Sequence, residues 1–306
     1  MATDTSFPRT VRTRVPPIKS QGIKTKLVPF IFSAFAWDGK GTWIEPFFGT
    51  GVVAFNAAPK RVLAGDTNRH LIGFYQAVQR GHITPGIAKA FLEKEGAALR
   101  TNGETRYYDI RDRFNRDGDP LDFLFLNRSC FNGMIRFNRK GGFNVPFCRK
   151  PDRFRPAYVT KIVNQIEWIA HVIRSGHWDF VVADWSTVLS AAKPDDFVYL
   201  DPPYIGRHAD YFDAWNADAA DRLAASLRAL SCGFAYSMWY RNRYRENEHL
   251  KRGFAGYPIL LQRHFYHVGP TQSLRNPMEE ALVVSPTNVV TSNSAAPECE
   301  ARSGFP

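Results

Sequence analysis

The chain has 306 residues, of which 44% are hydrophobic and 23% charged, a balance that supports a sizeable core and excludes a disordered or fibrous chain. Its 40 Lys+Arg against 29 Asp+Glu leave a formal net charge of +11, which suits a polyanionic partner, either nucleic acid or an anionic membrane surface. The four cysteines, Cys130, Cys148, Cys232 and Cys299, form no CxxC pair and no zinc spacing with histidine; a reducing cytoplasm and no metal are expected.

Residues 1–16 are polar and basic and read as a flexible N-terminus. They hold no apolar run of the kind a secretion signal needs, and the longest apolar-rich run, Val28–Trp37, is too short to span a bilayer. Short apolar runs at Thr42–Glu45, Val62–Gly65, Asp179–Ala183, Phe197–Leu200, Gly233–Ser237 and Ala281–Val284 predict buried strands. Between them, Ile87–Leu99, Val159–Ile173 and Ala219–Leu230 carry apolar residues three and four apart, the pattern of amphipathic helices packed on a sheet. This alternation predicts an α/β fold with a largely parallel sheet. No internal repeat is visible, and residues 285–306, rich in Ser, Ala, Pro and Asn, read as a disordered tail.

Chemistry first shows at Thr42–Asn56, where a strand runs into the tight turn Gly49-Thr-Gly51 and then a helix start. Glycines there let the backbone approach a ligand at the carboxyl end of a strand. The second strand ends at Asp66, placed for a carboxylate to accept from ribose hydroxyls, so the pair suggests an adenosine-containing cofactor. Ala54 stands where a dinucleotide fingerprint needs its third glycine, and no phosphate-loop lysine follows. Strand-to-helix turns of this kind also use glycine without a ligand.

From Leu126 to Pro156 stand eight Lys/Arg and one acid, Asp152, a local net charge of +7, interleaved with Phe131, Phe137, Phe143, Phe147 and Phe154. Arg136–Asn144 reads as a hairpin turning at Gly141-Gly142. The block is either a substrate-recognition insert or a solvated hairpin anchored by a few Phe side chains.

At Phe197–Tyr204 a buried strand stops at Asp201-Pro202-Pro203-Tyr204. The prolines stiffen the turn, so a carboxylate, a carbonyl and an aromatic ring can face one cleft. That cleft suits a planar amine such as adenine N6: Asp201 and the Pro202 carbonyl accept its two N–H groups, and Tyr204 stacks on the base. An ordinary strand-terminating Pro-Pro turn is the alternative.

Glu45-Pro46-Phe47-Phe-Gly49-Thr-Gly51, followed by the basic segment and then Asp201-Pro-Pro-Tyr204, resembles the motifs of the Dam-type (D12 class, alpha group) DNA adenine-N6 methyltransferases. The resemblance runs from Pro17 to Val284. It implies a Rossmann-like methyltransferase sheet (17–84 and 166–284) interrupted by a helical and hairpin target-recognition domain (85–165). It also implies S-adenosyl-L-methionine as cofactor, double-stranded DNA as partner and a base flipped for methylation.

Gly22–Lys26 is similar to the family's N-terminal motif, whose lysine touches cofactor and target base, a role that falls on Lys24. Ser20 stands where a cofactor-stacking Trp is common, and Ile23 where a second Gly is frequent. Glu45, Pro46, Phe47, Gly49, Gly51, Asp66 and Asp201 are the other implied cofactor residues. Leu126–Phe147 resembles the recognition hairpin. By that match Arg136 reads a guanine, Phe131 intercalates and Met134 and Pro146 touch neighbouring bases. Arg149 and Lys150 meet phosphates, and Arg128, Asn132, Asn138, Arg139 and Lys140 complete the DNA surface.

Within the family, the runs Pro17–Pro29, Leu121–Phe137 and Asp201–His208 resemble the EcoRV-type modification methylases. That likeness implies GATATC as target, methylated on the adenine of its GA step. A monomer is expected because a single recognition hairpin can methylate a palindrome one strand at a time, and both a role beside a restriction endonuclease and a solitary epigenetic role stay open. An RNA adenine methyltransferase and a non-catalytic DNA-binding protein are the rivals; the hairpin argues against the first and the intact Asp201-Pro-Pro-Tyr204 against the second. His208, Asp210 and Tyr211 are candidates to close over the base, Arg241, Arg243 and Arg245 to clamp phosphates, and His264 and His267 read as packing or surface residues.

Overall fold

The computed structural model describes residues 12–204, 215–241, 246–265 and 277–290. Among the described residues seven strands form one sheet: β1 (Trp43–Glu45), β2 (Arg61–Asp66), β3 (His177–Val182), β4 (Phe197–Leu200), β5 (Gly233–Arg241), β6 (Ile259–Phe265) and β7 (Pro277–Val284). Their order is β3-β2-β1-β4-β5-β7-β6. The first five are mutually parallel, and β7 lies antiparallel between β5 and β6. The order reverses between β1 and β4, the position at which open α/β sheets bind ligands beyond their strand ends.

The central strands β1 and β4 are buried throughout, as parallel strands covered on both faces must be. The described residues form ten α-helices on the two faces of the sheet. On one face lie α1 (Val28–Ala34), α2 (Val52–Ala57), α3 (Arg69–Gln79) and α7 (Pro156–Arg174), with α4 (Pro85–Asn102), α5 (Glu104–Asp117) and α6 (Pro120–Ser129) beyond them. The other face holds α8 (Trp185–Leu189), α9 (Ala217–Arg228) and α10 (Glu248–Gly253). Side-chain caps set several helix starts: Asn68 accepts from His70 and Leu71, Thr84 from Ile87 and Asp119 from Leu121 and Asp122, with Pro85 and Pro120 at first helical positions.

All six predicted strands and all three predicted helices are present, most of them one to five residues longer than their apolar cores. The sequence reading lacked β6, an edge strand whose Gln and Arg break the apolar run, with Leu261 44% exposed. It also assigned no helix at α1, α3, α5, α6, α8 or α10; in α5 a single stripe of Tyr107, Ile110 and Phe114 is buried under an otherwise charged helix.

Three boundaries differ from expectation. Residues 285–290 are not part of a free tail: Ser285 N–H donates to Phe234 O, Val290 N–H to Ala34 O and the Asn288 amide to Ala36 O. Polar composition hid this docking, which rests on backbone and amide bonds and on a single Val289 packed against the core. Within the N-terminal stretch, the Arg14 backbone exchanges two bonds with the Asn56 amide, and its guanidinium lies 4.7 Å from the Trp168 ring centroid. The 165/166 division falls inside α7, and the side chains of α4–α7 join the same hydrophobic cluster as Trp43 and Phe197 of the sheet. No helix among the described residues is long and apolar enough to cross a membrane.

Candidate active site

Strand alternation brings the site together. Trp43, Val62, Phe197, Tyr199 and Leu282 all pack toward the α1 face, so Glu45, Asp66, Asp201 and Glu280, each an even number of residues away, belong to that same face at the strand ends. Lys24, just before α1, meets Asp201 and Glu280 there.

Gly49 and Gly51 form the turn between β1 and α2 at φ +50° and +67°. A Cβ on Gly51 would lie 2.2 Å from the Phe48 ring, so packing alone requires glycine; one on Gly49 would meet nothing within 4 Å, leaving its face open to a ligand. Tyr75, from α3, donates to Thr50 O at 2.7 Å and pins the turn from below. Asp66 accepts from Gly49 N–H at 2.9 Å and from Asn68 N–H at 2.8 Å. Those bonds use one lone pair on each oxygen, so the half-buried carboxylate keeps acceptor capacity for a diol. Burial holds its pKa above the usual carboxylate value, against those two backbone bonds. Glu45 is 2% exposed, accepts from Trp43 Nε1 at 2.9 Å and is pushed up to about 8 by burial. Pro46 is buried, and Phe47 sets its ring edge-on to Trp215 at 5.3 Å.

The tightest cluster surrounds Lys24, which is 3% exposed. Its Nζ lies 3.0 Å from Asp201 Oδ1 and 3.7 Å from Glu280 Oε2, donates to Tyr204 Oη and sits 4.6 Å from the Tyr204 ring centroid. Tyr204 Oη in turn donates to Glu280 Oε2 at 2.7 Å. The Asp201 side chain is 25% exposed, the face through which a substrate amine can reach it. Burial pushes its pKa up to about 6, with Lys24 pulling the other way. Pro202 is buried and Pro203 half-buried. Ser20 sits half-buried upstream of Lys24, its Oγ bonded to Gln21 O at 3.1 Å.

The basic segment forms a second group. After α6 the chain makes a 3-10 turn at Phe131–Gly133, with Asn132 at φ +54° and Phe131 51% exposed. Phe131 N–H donates to Pro146 O at 2.9 Å, so the exposed ring and exposed Pro146 lie side by side, with half-buried Met134 next along the chain. The predicted hairpin is present: Phe137 bridges Phe143, and Asn138 exchanges backbone bonds with Gly141 and Gly142. Arg136 is held in plane by Asn144, through Oδ1 at 2.8 Å and the carbonyl at 3.1 Å. Arg139 and Lys140 are exposed near the tip, and Arg149 and Lys150 are exposed further along.

Two of the predicted DNA-contact residues have other work. Arg128 is 8% exposed and donates to Pro17 O at 3.0 Å, so it anchors the N-terminal segment instead of facing solvent; burial lowers its pKa to about 10. The Asn138 side-chain oxygen accepts from Lys140 and Gly142 N–H, which makes that oxygen a turn element.

Glu280 and Asn127 were missing from the sequence reading. The signal for Glu280 was an acid two residues before Leu282 on the apolar phase of its strand; for Asn127 it was an amide inside the apolar helix Pro120–Ser129. Arg241 pairs with Glu279 at 2.6 Å. His208, Asp210, Tyr211, Arg243, Arg245 and His267 lie outside the described residues, as does the side chain of His264.

The strand order, the antiparallel β7 and a glycine turn beside a row of strand-end acids define a Rossmann-like methyltransferase fold. Residues 20–268 match the D12 class N6 adenine-specific DNA methyltransferases, and the chain belongs to that family. The DNA adenine methylase of Vibrio cholerae serotype O1 is 34% identical over 165 residues, covering 53% of this chain and 55% of that protein. The type II methyltransferase M.FokI of Planomicrobium okeanokoites is 27% identical over 282 residues, 89% of this chain and 43% of that protein. The chain spans about half the length of these curated relatives. Among solved structures, an rRNA methyltransferase, aviRa from Streptomyces viridochromogenes, aligns over 92% of this chain and 90% of its own with a TM-score of 0.37 and 16% identity.

Proposed function

We propose that this chain transfers a methyl group from S-adenosyl-L-methionine to N6 of an adenine flipped out of duplex DNA, the adenine of the GA step in GATATC. The observation that carries the reading is the Lys24–Asp201–Tyr204 cluster at the carboxyl end of β4, next to the Gly49–Gly51 turn at the switch point of the sheet. The specificity rests on the likeness of Pro17–Pro29, Leu121–Phe137 and Asp201–His208 to EcoRV-type methylases.

The residues present fit the cofactor. The open face of Gly49 admits a ligand against the backbone, and the remaining lone pairs of Asp66 suit two ribose hydroxyls. In this reading Lys24, Glu45, Pro46 and Phe47 complete the cofactor's surroundings between them and Asp201. When bound, S-adenosylmethionine supplies an electrophilic methyl group. The protein's task is the nucleophile: adenine N6 attacks poorly because its lone pair is delocalised into the ring. Asp201 and the Pro202 carbonyl accept the two N–H groups and localise that pair, while Tyr204 stacks on the base and holds it in line. The amine then sheds a proton, and Asp201, pushed up to about 6, is placed to take it. No covalent enzyme intermediate is required.

In this reading Phe131 fills the gap left by the extruded base, and Arg136, held flat by Asn144, presents a planar fork to guanine O6 and N7. Arg149, Lys150, Arg139 and Lys140 give the salt-sensitive, sequence-independent share of affinity. The protein acts as a monomer, beside a cognate endonuclease with which it forms no stable complex, or alone.

Base-resolution N6-methyladenine mapping of DNA from a methylation-free host, with an Asp201→Ala control, tests the proposal. Modification confined to GATATC supports it in full; another single motif overturns only the specificity. No modified adenine from folded, cofactor-binding protein turns the assignment to RNA or to a non-catalytic DNA binder.

A further inference from the structure

Glu280 stands in the cluster without a part in the transfer described above. It is 1% exposed, on β7 between Trp239 of β5 and Gln262 of β6. A carboxylate is costly to bury unless it is paired and hydrogen-bonded. Its partners here include Tyr204, whose Oη donates to it at 2.7 Å, and Lys24, whose Nζ lies 3.7 Å away.

The Lys24 ammonium is closer to Asp201, 3.0 Å from Oδ1, and so shares the carboxylate to which an incoming adenine amine would donate. When the amine draws on that carboxylate, the ammonium has a second one within a short movement, Glu280, at 3.7 Å. Because Tyr204 Oη accepts from Lys24 and donates to Glu280, the three side chains form one chain of hydrogen bonds that sets the orientation of the stacking ring.

Resting on the reading of this site as an adenine-N6 pocket, we propose that Glu280 is a positioning residue. It fixes the Tyr204 ring through its hydroxyl, and it receives the Lys24 ammonium when the target amine occupies Asp201.

The test is steady-state methylation, by wild type, Glu280→Gln, Tyr204→Phe and the double variant, of a duplex carrying the motif that the genome mapping identifies, with cofactor affinity and stoichiometry measured by calorimetry. Glu280→Gln is expected to lower kcat by about tenfold or more with full cofactor stoichiometry and a cofactor Kd within about twofold of wild type. The double variant should lose less than the product of the single losses, because both act on one hydrogen-bonded chain. Glu280→Asp, which keeps the charge, should recover part of the rate, and it replaces Gln in the cycle if the Gln variant does not fold. Wild-type kcat in Glu280→Gln, or losses that multiply in the double variant, overturns the inference. Wild-type protein that modifies no adenine overturns the functional reading beneath it, whereas wild-type turnover matched by Glu280→Gln overturns the positioning role alone.

Discussion

The side-chain amide of Asn127 pairs with the backbone of Lys19 in both directions: its oxygen accepts Lys19 N–H at 2.7 Å and its Nδ2 donates to Lys19 O at 2.9 Å. Nδ2 also reaches Gly133 O at 3.3 Å. One buried amide thus ties the segment that carries Ser20 and Lys24 to the turn that carries Phe131 and Asn132. Arg128, the next residue, adds its bond to Pro17 O. The segment of Lys24 and the turn of Phe131 are joined at the end of α6.

Asn127→Ala should therefore cost about 2–3 kcal/mol of stability, the penalty for leaving a backbone donor and acceptor unpaired around a cavity. The remaining folded protein should lose turnover more than cofactor binding. Urea unfolding beside kcat measurement checks both, and an Asn127→Ala protein as stable and as fast as wild type would remove the joint from the account.

Asp201→Ala should abolish methyl transfer, a loss of about 10³-fold or more, while duplex binding stays within about threefold. Gel-shift titration next to a methylation assay separates the two quantities. Retained turnover would sink the assignment of the amine pocket. The pH profile should agree: the acceptor must be ionised, and Asp201 is pushed up to about 6, so kcat should fall on the acid side of about pH 6 and be flat above it.

Glu45 gives a stability signature. Its folded pKa, about 8, lies above its unfolded value, so folding takes up a proton at intermediate pH. The stability it contributes is fully present below the unfolded pKa and is lost as pH rises through about 8. Glu45→Gln removes this dependence. Between pH 5 and pH 8.5 the wild type should lose a few kcal/mol relative to the Gln variant in denaturant unfolding, and parallel pH profiles for the two proteins would contradict the burial-driven shift.

The salt dependence of DNA binding should distinguish buried from exposed arginines. Arg149→Ala and Lys150→Ala should each reduce the slope of log K against log salt by about 1, because each removes one phosphate neutralisation. Arg128→Ala should leave the slope unchanged and lower the melting temperature, since its guanidinium is spent on Pro17 O. A reduced slope for Arg128→Ala would return that residue to the DNA surface.

At the glycine turn, Gly51→Ala should cost about 2–4 kcal/mol, combining a positive φ with a Cβ 2.2 Å from the Phe48 ring. Gly49→Ala meets open space and should cost about 1 kcal/mol, yet weaken cofactor binding, because its Cβ projects into the face left for the ligand. Thermal unfolding and calorimetric titration of both variants check the contrast; equal effects on affinity would refute it.

Much of the site was legible in the sequence for local reasons. A strand, two glycines and a helix start are contiguous, so Gly49 and Gly51 could be read as a turn; Asp66 and Asp201 close apolar runs and so had to stand at strand ends. The hairpin at Gly141 was legible because turn chemistry is short-range. Arg128 was misread because a charged residue in a basic block resembles its neighbours, and nothing in sequence says which of them is anchored on Pro17.

What the sequence determined by itself, then, is the set of elements and the residues at their ends, because period and punctuation act over a few residues. Tertiary structure alone decided the strand order, the insertion of β7 between β5 and β6, and the meeting of Lys24 with Tyr204 across a separation of 180 residues. Which face of the sheet receives α1, and which acid of β7 reaches Tyr204, depend on packing and register over the whole chain. Glu280 became part of the site for that reason, two strands away from the turn it supports.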